Sequence, residues 1–470
     1  MKRKDFIKLS SASALFLGFN PGKLNSENIN ESYENLNKKS FYMGDYSAPK
    51  LNTVKVAFIG VGARGSGHLK QISLLEGTEV VGISDLYKDL AHKSLKICKE
   101  SSNNRHKNVA IYCDNKDSWK LMLKETKPDA VFISTNWDNH APMAIQVMKS
   151  GAHAFVEVPM ATNLKDLWEI VNTSEKTRKH CMMMENVNYG RDELMYLNMC
   201  RKGIIGDFLH AEAAYIHELR FQMEQQERGT GSWRTYHYSK GKGNLYPTHG
   251  LGPIAQYMNL ARGDDNFNTL ISYSTPALGR KLYAKENYDT NHKWNKLDYK
   301  NGDMNTSIIK TSIGRTIMIQ WDETSPRPYT RHNLIQGTKG ILAGFPTRVA
   351  LEGGVKGLTK NHHSWVKGED LSVLYEKYDH PLYKRLDSLV QKLGGPNHVG
   401  HGGMDLIMRY RIIECLRNGE PLDQNVYEGC FWSAVTPLSA KSIDDGGTPQ
   451  KFPDFTRGNW KTTNPLEIIS

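Results

Sequence analysis

The chain has 470 residues, of which 39% are hydrophobic and 24% are charged, and its net charge is +11. This length supports a large core and two or three domains, and no apolar run is long enough to cross a membrane. The lysines are scattered and no aromatic residues alternate with them in a basic stripe, so the composition argues against nucleic-acid binding.

The first twenty residues, MKRKDFIKLSSASALFLGFN, predict an export signal, because a basic start precedes a run of Ser, Ala, Leu and Phe. Arg3 and Lys4 resemble the twin-arginine signal, with Lys4 in place of the second arginine. That route carries folded proteins and favours a periplasmic location. A disordered basic tail is the alternative interpretation. Residues 21–50 are rich in Asn, Ser, Glu and Lys and predict a linker.

Strands and helices alternate from residue 53 onward. Helices are predicted at 65–75, 88–100, 140–150 and 164–178. The predicted strands are TVKVAFIGVG, EVVGISD ending at Asp85, DAVFIST at 129–135, HAFVEV from His153, and CMMMEN at 181–186. This alternation predicts an α/β fold whose first domain, residues 51–188, is a Rossmann-type, doubly wound parallel sheet.

The pattern changes after residue 190. Three long strand-like runs follow, FLHAEAAYIHEL, TSIIKTSIGRTIMIQW and RHNLIQGTKGILAGF, and polar loops separate them. Residues 404–418 predict an amphipathic helix that ends at Gly419. Residues 189–470 are therefore expected to form a second, α+β domain with a large, mostly antiparallel sheet and a C-terminal helix.

A glycine-rich turn, GVGARG, lies between the first predicted strand and the first helix. Gly60, Gly62 and Gly65 permit a tight turn and close approach of a pyrophosphate to the helix N-terminus. Asp85 ends the next strand, where a carboxylate accepts hydrogen bonds from ribose hydroxyls and repels a 2′-phosphate. The pattern predicts NAD rather than NADP, with Arg64 as the opposing signal, and an ordinary glycine turn is the alternative.

Three further loops are expected to face the cofactor, because ligands bind at the carboxyl ends of parallel strands. They are Asn136 to His140, Glu157-Val158 and Glu185-Asn186. In the second domain, three stretches combine aromatic and titratable side chains: Tyr215 and His217; Trp233 and Arg234; and Tyr246, Pro247, Thr248 and His249. A phenol or an imidazole there could move protons. Taken singly, each residue is better interpreted as a packed aromatic or a hydrogen-bonded core histidine.

Cysteine and histidine spacing gives no metal site. The six cysteines are far apart and form no CxxC pair, so neither a disulfide framework nor a structural zinc site is expected. His362, His363, His398 and His401 lie in Gly- and Asn-rich loops without a companion carboxylate pattern. We interpret them as loop residues.

Several longer stretches carry a resemblance to a known family. They are VGARGSGH, the Trp137–His140 loop, EV at 157–158, ENVNYGRD, WRTYHY, LYPTHGLGP, SPRPY, YDHPLYK, HGGMD, TPLSAKSI and PDFTRGNW. Together they resemble the Gfo/Idh/MocA oxidoreductase superfamily, and more closely glycoside hydrolase family 109, whose members are NAD-dependent α-N-acetylgalactosaminidases. The resemblance runs from about residue 53 to about residue 462.

The resemblance implies specific contacts. For NAD they are Ala63, Arg64, Asp85, Trp137, Asp138, Asn139, His140, Glu157, Val158, Asn186 and Arg234. For the sugar they are Tyr215, Tyr246, Pro247, Thr248, His249 and Tyr329, with Tyr246 between cofactor and sugar. Asp138 and Asn139 stand where relatives carry a glutamate and a second tryptophan, and the loop between Tyr215 and Arg234 is short.

The resemblance also implies a mechanism. Sugar dehydrogenases of this architecture usually present a lysine where this chain has Val158, and valine cannot take a proton. In the resembled family, NAD⁺ oxidises the C3 hydroxyl, a base removes the acidified C2 hydrogen and the C1 substituent leaves. Water then adds and the stored hydride reduces C3 again. This differs from the usual pair of carboxylates in glycosidases.

The resemblance, together with side-chain chemistry, implies a division of roles. Tyr215 would be the C2 base, which requires a cationic or hydrogen-bonding neighbour to lower its pKa. His249 would take the C3 hydroxyl proton, with Tyr246 bonded to the same oxygen, and Glu185 would orient the sugar or assist the leaving group. The predicted partner is a glycan with terminal N-acetylgalactosamine. Two alternative functions stay open: an ordinary NAD-dependent sugar dehydrogenase and a non-catalytic, NAD-holding sugar-binding protein. Homo-oligomerisation also stays open.

Overall fold

The computed structural model describes residues 41–360, 363–396 and 399–467. The predicted export signal and residues 21–40 of the predicted linker lie outside the described residues, so both stay predictions. The remainder of that linker packs against the body of the protein. The Tyr42 ring stacks on Tyr427 with 4.9 Å between ring centroids, and Met43 and Ala48 are buried.

Six parallel strands form the first sheet, in the order β3-β2-β1-β4-β5-β6. Their bounds are β1 Val54–Ile59, β2 Thr78–Ser84, β3 Ala110–Tyr112, β4 Ala130–Ile133, β5 His153–Val156 and β6 Cys181–Met183. Every residue of β1 except Lys55 is buried, and β4 and β5 are buried throughout. Such continuous apolar runs are typical of parallel strands covered by helices on both faces.

Five helices accompany this sheet. They are α1 Ala63–Leu74, α2 Lys88–Ser101, α3 Ser118–Thr126, α4 Trp137–Lys149 and α5 Leu164–Thr177. The predicted alternation and the doubly wound sheet are confirmed. The sequence missed β3, which has three residues, and α3, which has nine, because neither shows a long apolar period.

Nine strands form the second sheet, in the order β14-β13-β12-β11-β7-β10-β9-β8-β15. Their bounds are β7 Phe208–Ile216, β8 Phe267–Ser274, β9 Asn305–Thr311, β10 Thr316–Asp322, β11 Leu334–Gly337, β12 Gly340–Ala343, β13 Arg348–Leu351, β14 Val366–Lys367 and β15 Gln450–Lys451. Only β7 and β10 pair in parallel, so the predicted, mostly antiparallel sheet is confirmed. Two of the three long runs are hairpins, β9–β10 and β11–β12.

Eight α-helices lie in the described part of the chain after residue 190. They are α6 Arg191–Arg201, α7 Thr230–Lys240, α8 Thr248–Tyr257, α9 Gly279–Asn287, α10 Leu371–Tyr378, α11 Pro381–Lys392, α12 Met404–Asn418 and α13 Val426–Asp444. The sequence predicted only α12, with its end at Gly419. Its predicted amphipathic character is wrong, because the polar residues Asp405, Arg409 and Arg411 are buried along with the apolar ones.

Helix α12 connects the end of the chain to the first sheet. It packs against α1 and against the short 3-10 helix Asn186–Tyr189 that follows β6. Its Ile412 and Leu416 share one apolar core with Val54 and Phe58 of β1. The C-terminal segment therefore helps to build the core around the first sheet. Across the described ranges, no helix is both long and apolar enough to cross a bilayer.

Candidate active site

The glycine-rich turn between β1 and α1 has the geometry of a dinucleotide site. Gly60 has φ +82°, and a Cβ on Gly65 would lie 1.9 Å from the Gly60 carbonyl oxygen, so both positions require glycine. A Cβ on Gly62 would meet nothing within 4 Å, and no side chain caps the start of α1 at Ala63. The first N–H groups of α1 therefore offer an anion site for a pyrophosphate.

Asp85 lies where a ribose carboxylate is expected, directly after β2. Its Oδ2 accepts a hydrogen bond from Val61 N in the glycine turn at 2.7 Å, and its Oδ1 accepts one from Tyr87 N at 2.8 Å. These bonds fix the carboxylate beside the turn. The residues present fit a dinucleotide with a free ribose diol.

Arg64 does not lie near Asp85. Its Nε donates to Glu157 Oε1 at 3.0 Å, and its Nη1 donates to Asp405 Oδ2 at 3.0 Å. Glu157 follows β5, and β1 and β4 separate β5 from β2, so about 14 Å of sheet lies between the two strand ends. Arg64 is therefore held by carboxylates at the far side of the sheet. It is not placed to bind a 2′-phosphate on a ribose beside Asp85, so it no longer argues for NADP.

Glu157 is the centre of a buried polar network. Its Oε1 accepts a hydrogen bond from His68 Nε2 at 2.7 Å, while Arg409 Nε donates to His68 Nδ1 at 2.7 Å. Burial lowers the pKa of His68 to about 4, with a further contribution from Arg409, so this imidazole is neutral. Although burial raises the pKa of Glu157, Arg64 and His68 hold it well below its usual range. Glu157 is therefore a carboxylate.

Asp405 of α12 joins this network to the predicted cofactor residues. Asn186 Nδ2 donates to Asp405 Oδ1 at 2.7 Å, and Arg409 lies 3.6 Å from Asp405 Oδ2. Asp405 and Arg409 were missed as site residues, because they lie more than 200 positions from the cofactor loops. The stretch HGGMD, which ends at Asp405, was the one available signal.

The first turn of α4, directly after β4, forms a second wall, where the sequence predicted a loop. Trp137 packs against Trp233 and Tyr246, with ring centroids 5.1 Å and 6.1 Å apart, and Asp138 Oδ2 lies 3.6 Å from His237 Nε2. Asn139 bonds to Asn136 at the start of the helix. His140 is buried between the carbonyl oxygens of Thr135 and Pro159, so it fixes the start of the helix. Val158 is buried beside Glu157 and offers no group that could take a proton.

Arg234 of α7 covers this wall. Its guanidinium carbon lies 4.9 Å from the centre of the Trp137 ring and 5.2 Å from that of Tyr246. Its Nη1 lies 3.4 Å from Oε1 of Glu323, a fully buried carboxylate that also accepts a hydrogen bond from the Tyr238 hydroxyl. Glu323 was not predicted, since it follows β10 without any local motif. It orients Arg234 over the cofactor wall.

His249 and Glu185 form a close imidazole–carboxylate pair, with 2.6 Å between Nδ1 and Oε1. Glu185 follows β6 and His249 lies in the first turn of α8. Glu185 is 0% exposed, and its Oε2 is buried without a partner. The Glu185 carboxylate is therefore held against Nδ1 of His249. The predicted contact between Glu185 and the sugar or leaving group stays a prediction.

The predicted sugar contacts lie around this pair. The Tyr215 ring lies 4.7 Å from that of Tyr246, 5.3 Å from His249 and 6.1 Å from Tyr329, between centroids. Tyr246 and His249 are 4.9 Å apart. Pro247 caps α8, and the side chain of Thr248 is fully buried and does not line the pocket. The structure therefore brings Tyr215, Tyr246, His249 and Tyr329 together, and their roles as sugar contacts stay predictions.

Tyr215 has the cationic neighbour that its role as C2 base requires, Arg234, but its pKa is raised overall. Burial raises the pKa of Tyr215 well above its usual value, Glu323 and Tyr246 raise it further, and only Arg234 among its main neighbours lowers it. Burial also raises the pKa of Tyr246. Both phenols are therefore neutral hydrogen-bond donors near pH 7.

No group of three or more His, Cys, Asp or Glu side chains capable of holding a metal occurs in residues 41–360, 363–396 and 399–467. His401 bonds to Arg64 and Asp405 at the edge of the cofactor network. His362 and His398 lie outside the described residues.

Comparison with known proteins extends these observations. Residues 54–185 match the oxidoreductase family with an NAD-binding Rossmann fold, and residues 189–462 match the C-terminal domain of glycosyl hydrolase 109. Among solved structures, a levoglucosan dehydrogenase in complex with NADH has a TM-score of 0.63 at 14% identity, covering 86% of this chain and 100% of that one. The predicted cofactor, NAD, is confirmed.

Curated relatives match over nearly the whole chain. Glycosyl hydrolase family 109 protein 1 of Akkermansia muciniphila is 63% identical over 431 residues, which cover 92% of this chain and 87% of that protein. A glycosyl hydrolase family 109 protein of Shewanella pealeana is 50% identical over 473 residues, which cover 100% of this chain and 99% of that protein. The chain belongs to glycoside hydrolase family 109.

Proposed function

We propose that the protein hydrolyses terminal α-N-acetylgalactosaminides through an oxidation at C3 that is reversed within each turnover. The observation that carries the proposal is the Glu185–His249 pair, which lies beside Tyr215 and Tyr246 next to a cofactor wall that has Val158 where a lysine is usual. NAD, when bound, supplies the acceptor that holds the hydride of C3 and gives it back.

His249 is proposed to take the proton of the C3 hydroxyl. With Nδ1–H donated to the Glu185 carboxylate at 2.6 Å, Nε2 carries the lone pair and can accept that proton. Glu185 then stabilises the imidazolium that forms. The same proton returns to the C3 oxygen when C3 is reduced, so the pair is unchanged after turnover.

The second proton is the one on C2, which becomes acidic once C3 is a ketone. Its removal expels the C1 substituent with the electrons of the C1–O bond, and water adds to the resulting alkene while a proton returns to C2. We assign this proton to Tyr215, which packs against both Tyr246 and His249. Its raised pKa means that it must first lose its own proton, so the step is favoured at alkaline pH.

An ordinary sugar dehydrogenase is the second candidate, favoured by the fold shared with levoglucosan dehydrogenase. A dehydrogenase must dispose of a hydride and a hydroxyl proton in each turnover. Val158 provides no group to relay that proton. Net accumulation of NADH in proportion to product would favour this second function.

The test is an assay of purified protein on a chromogenic α-N-acetylgalactosaminide, with and without added NAD. We expect hydrolysis that depends on NAD without net production of NADH. Replacing His249 with alanine should lower kcat by roughly 10²–10⁴-fold, as for a lost general base. His210→Gln is the matched control, because His210 lies near the start of β7 and bonds to Thr316, whereas Tyr215 lies near the end of that strand. No hydrolysis by the parent protein would refute the proposal.

A further inference from the structure

Three half-exposed aromatic side chains lead away from the sugar pocket. Tyr329 is 38% exposed, Phe345 is 36% exposed and Trp365 is 38% exposed, whereas Tyr215 at the pocket floor is 9% exposed. Large aromatic rings are costly to leave in water, and exposed apolar patches commonly mark binding grooves. We name Tyr329, Phe345 and Trp365 the aromatic track.

The aromatic track is continuous with the pocket. The Tyr329 ring lies 6.1 Å from Tyr215 and 5.5 Å from Phe345, between centroids. Arg348 donates to the carbonyl oxygens of Gly344 at 3.3 Å and Pro346 at 2.9 Å, on either side of Phe345. The guanidinium carbon of Arg348 lies 4.9 Å from the centre of the Trp365 ring. Tyr329 and Phe345 are therefore in ring contact, and Arg348 links the backbone around Phe345 to the Trp365 ring.

Buried charge holds the first two rings in place. Arg331 donates to the Tyr329 hydroxyl at 2.9 Å and to Glu193 Oε1 at 2.6 Å. Its guanidinium carbon lies 4.8 Å from the centre of the Phe345 ring and 5.6 Å from that of Tyr329. Phe345 has φ +54°, a conformation that is uncommon for a bulky residue. The surrounding structure therefore keeps an apolar ring at the surface at a conformational cost.

The direction of the aromatic track matches the exit that a glycan requires. Tyr215 and Tyr246 are nearly buried, whereas Tyr329 is the most exposed of the predicted sugar contacts, so Tyr329 marks the side on which this cluster meets solvent. Pyranose rings present flat C–H faces, and rigid aromatic rings bind such faces with little loss of conformational entropy.

We propose that the aromatic track is a subsite for the sugars on the leaving-group side of the scissile bond. The inference rests on the proposed glycosidase function and extends it, because it assigns particular side chains to the sugars beyond the terminal one. Tyr329 would contact the terminal sugar and the first leaving-group sugar, and Phe345 and Trp365 would stack on the sugars beyond.

The experiment compares kcat/KM for two substrates with the same terminal sugar. One is methyl α-N-acetylgalactosaminide, whose leaving group is too small to reach Phe345, and the other is a linear trisaccharide ending in α-N-acetylgalactosamine. Phe345→Ala and Trp365→Ala should each lower kcat/KM for the trisaccharide by roughly 3- to 10-fold. In both variants, kcat/KM for the methyl glycoside should stay within about twofold of the parent value. Phe345→Tyr, which keeps the ring, should retain the parent ratio.

Tyr273→Ala is the matched control, because Tyr273 is an exposed aromatic residue on β8, near the other edge of the second sheet. It should leave both substrates unaffected. If the parent cleaves both substrates and the Phe345 and Trp365 variants keep the parent ratio, the subsite is refuted and the proposed function stands. If the parent cleaves neither substrate, the proposed function fails and the subsite falls with it. If kcat/KM for the trisaccharide falls as far in Phe345→Tyr as in Phe345→Ala, stacking on the ring is also refuted.

Discussion

Tyr215 combines a reactive position with an unfavourable electrostatic environment. It packs against Tyr246 and His249 at the floor of the pocket, yet burial and the Glu323 carboxylate raise its pKa. A phenol with a raised pKa holds its proton more tightly, so a smaller fraction is phenolate at pH 7. If Tyr215 takes the C2 proton, only that fraction is active.

A pH profile of the parent enzyme tests this role. We expect kcat to keep rising from pH 7 towards pH 10, because each increase in pH enlarges the fraction of Tyr215 phenolate. Tyr215→Phe should abolish the alkaline rise. A plateau near neutral pH in the parent enzyme would remove Tyr215 from the C2 step and transfer the role to the His249–Glu185 pair.

Glu323 provides a second test of the same environment. Its negative charge favours the neutral phenol of Tyr215, so Glu323→Gln should lower the Tyr215 pKa and move the alkaline rise in kcat to lower pH. The same variant removes the counter-charge of Arg234, which covers the cofactor wall, so the KM for NAD should increase as well. Glu352→Gln is the control, because Glu352 follows β13, which β12, β11 and β7 separate from β10 in the sheet. If kcat of Glu323→Gln rises over the same pH range as kcat of the parent enzyme, the proposed effect of Glu323 on the Tyr215 pKa is contradicted.

The candidate site was predictable where its chemistry lies in local motifs. Gly60, Asp85 and His249 belong to compact stretches with recognisable residue types. Glu323 and Asp405 belong to no such stretch, because they reach the site from distant parts of the chain through tertiary packing. The sequence also could not reveal the raised pKa of Tyr215, which depends on how completely the fold buries that phenol.

Helix α12 is the element that ties the C-terminal segment to the cofactor network. Its Asp405 binds Arg64 and Asn186, and its Arg409 binds His68, so one helix turn contacts three cofactor-side residues. Such buried pairs are costly to break, because one charge is left without its partner.

Asp405→Asn tests this connection. We expect the free energy of unfolding to fall by about 3–5 kcal/mol, because Arg64 and Arg409 lose a buried counter-charge. NAD binding, measured by titration calorimetry, should also weaken. Asp298→Asn is the control, since Asp298 is 87% exposed and pairs only loosely with Lys300. Unchanged urea unfolding in Asp405→Asn would show that the network adds no stability.

At the scale of elements, the periodic parts of the fold were predictable and the deeply buried helices were not. The first sheet follows from alternating apolar strands and amphipathic helices. Helices α8 and α13 were missed because they are buried on nearly all sides and each contains a proline, Pro253 and Pro437. Such helices show no 3.6-residue polar face, and proline normally argues against a helix.

The whole molecule buries several histidines in their neutral form. Burial lowers the pKa of His68 to about 4, of His180 to about 3 and of His380 to about 4, against a usual value of 6.5. In the unfolded chain these groups take up protons as the pH falls through 6.5, whereas the folded protein does not. Their neutral burial therefore destabilises the fold progressively under acid conditions.

We expect the free energy of unfolding to decrease steadily between about pH 6.5 and pH 4, where the unfolded chain binds more protons than the folded one. Urea titrations at several pH values across this window measure the slope directly. The carboxylates Glu157 and Asp405, whose pKa values are lowered, add a further loss at the acid end. Stability that is constant from pH 7 to pH 4.5 would contradict the burial of neutral imidazoles.

Transient oxidation at C3 requires that the C2 proton leave and return in every turnover, and hydrolysis in heavy water tests this requirement most directly. N-acetylgalactosamine released by the parent enzyme should carry deuterium at C2, because the base exchanges its proton with solvent before returning it. Mass spectrometry and proton NMR of the product locate the label. Product with only light hydrogen at C2, under conditions where exchange at the base is fast, would contradict the elimination mechanism and indicate direct displacement at C1.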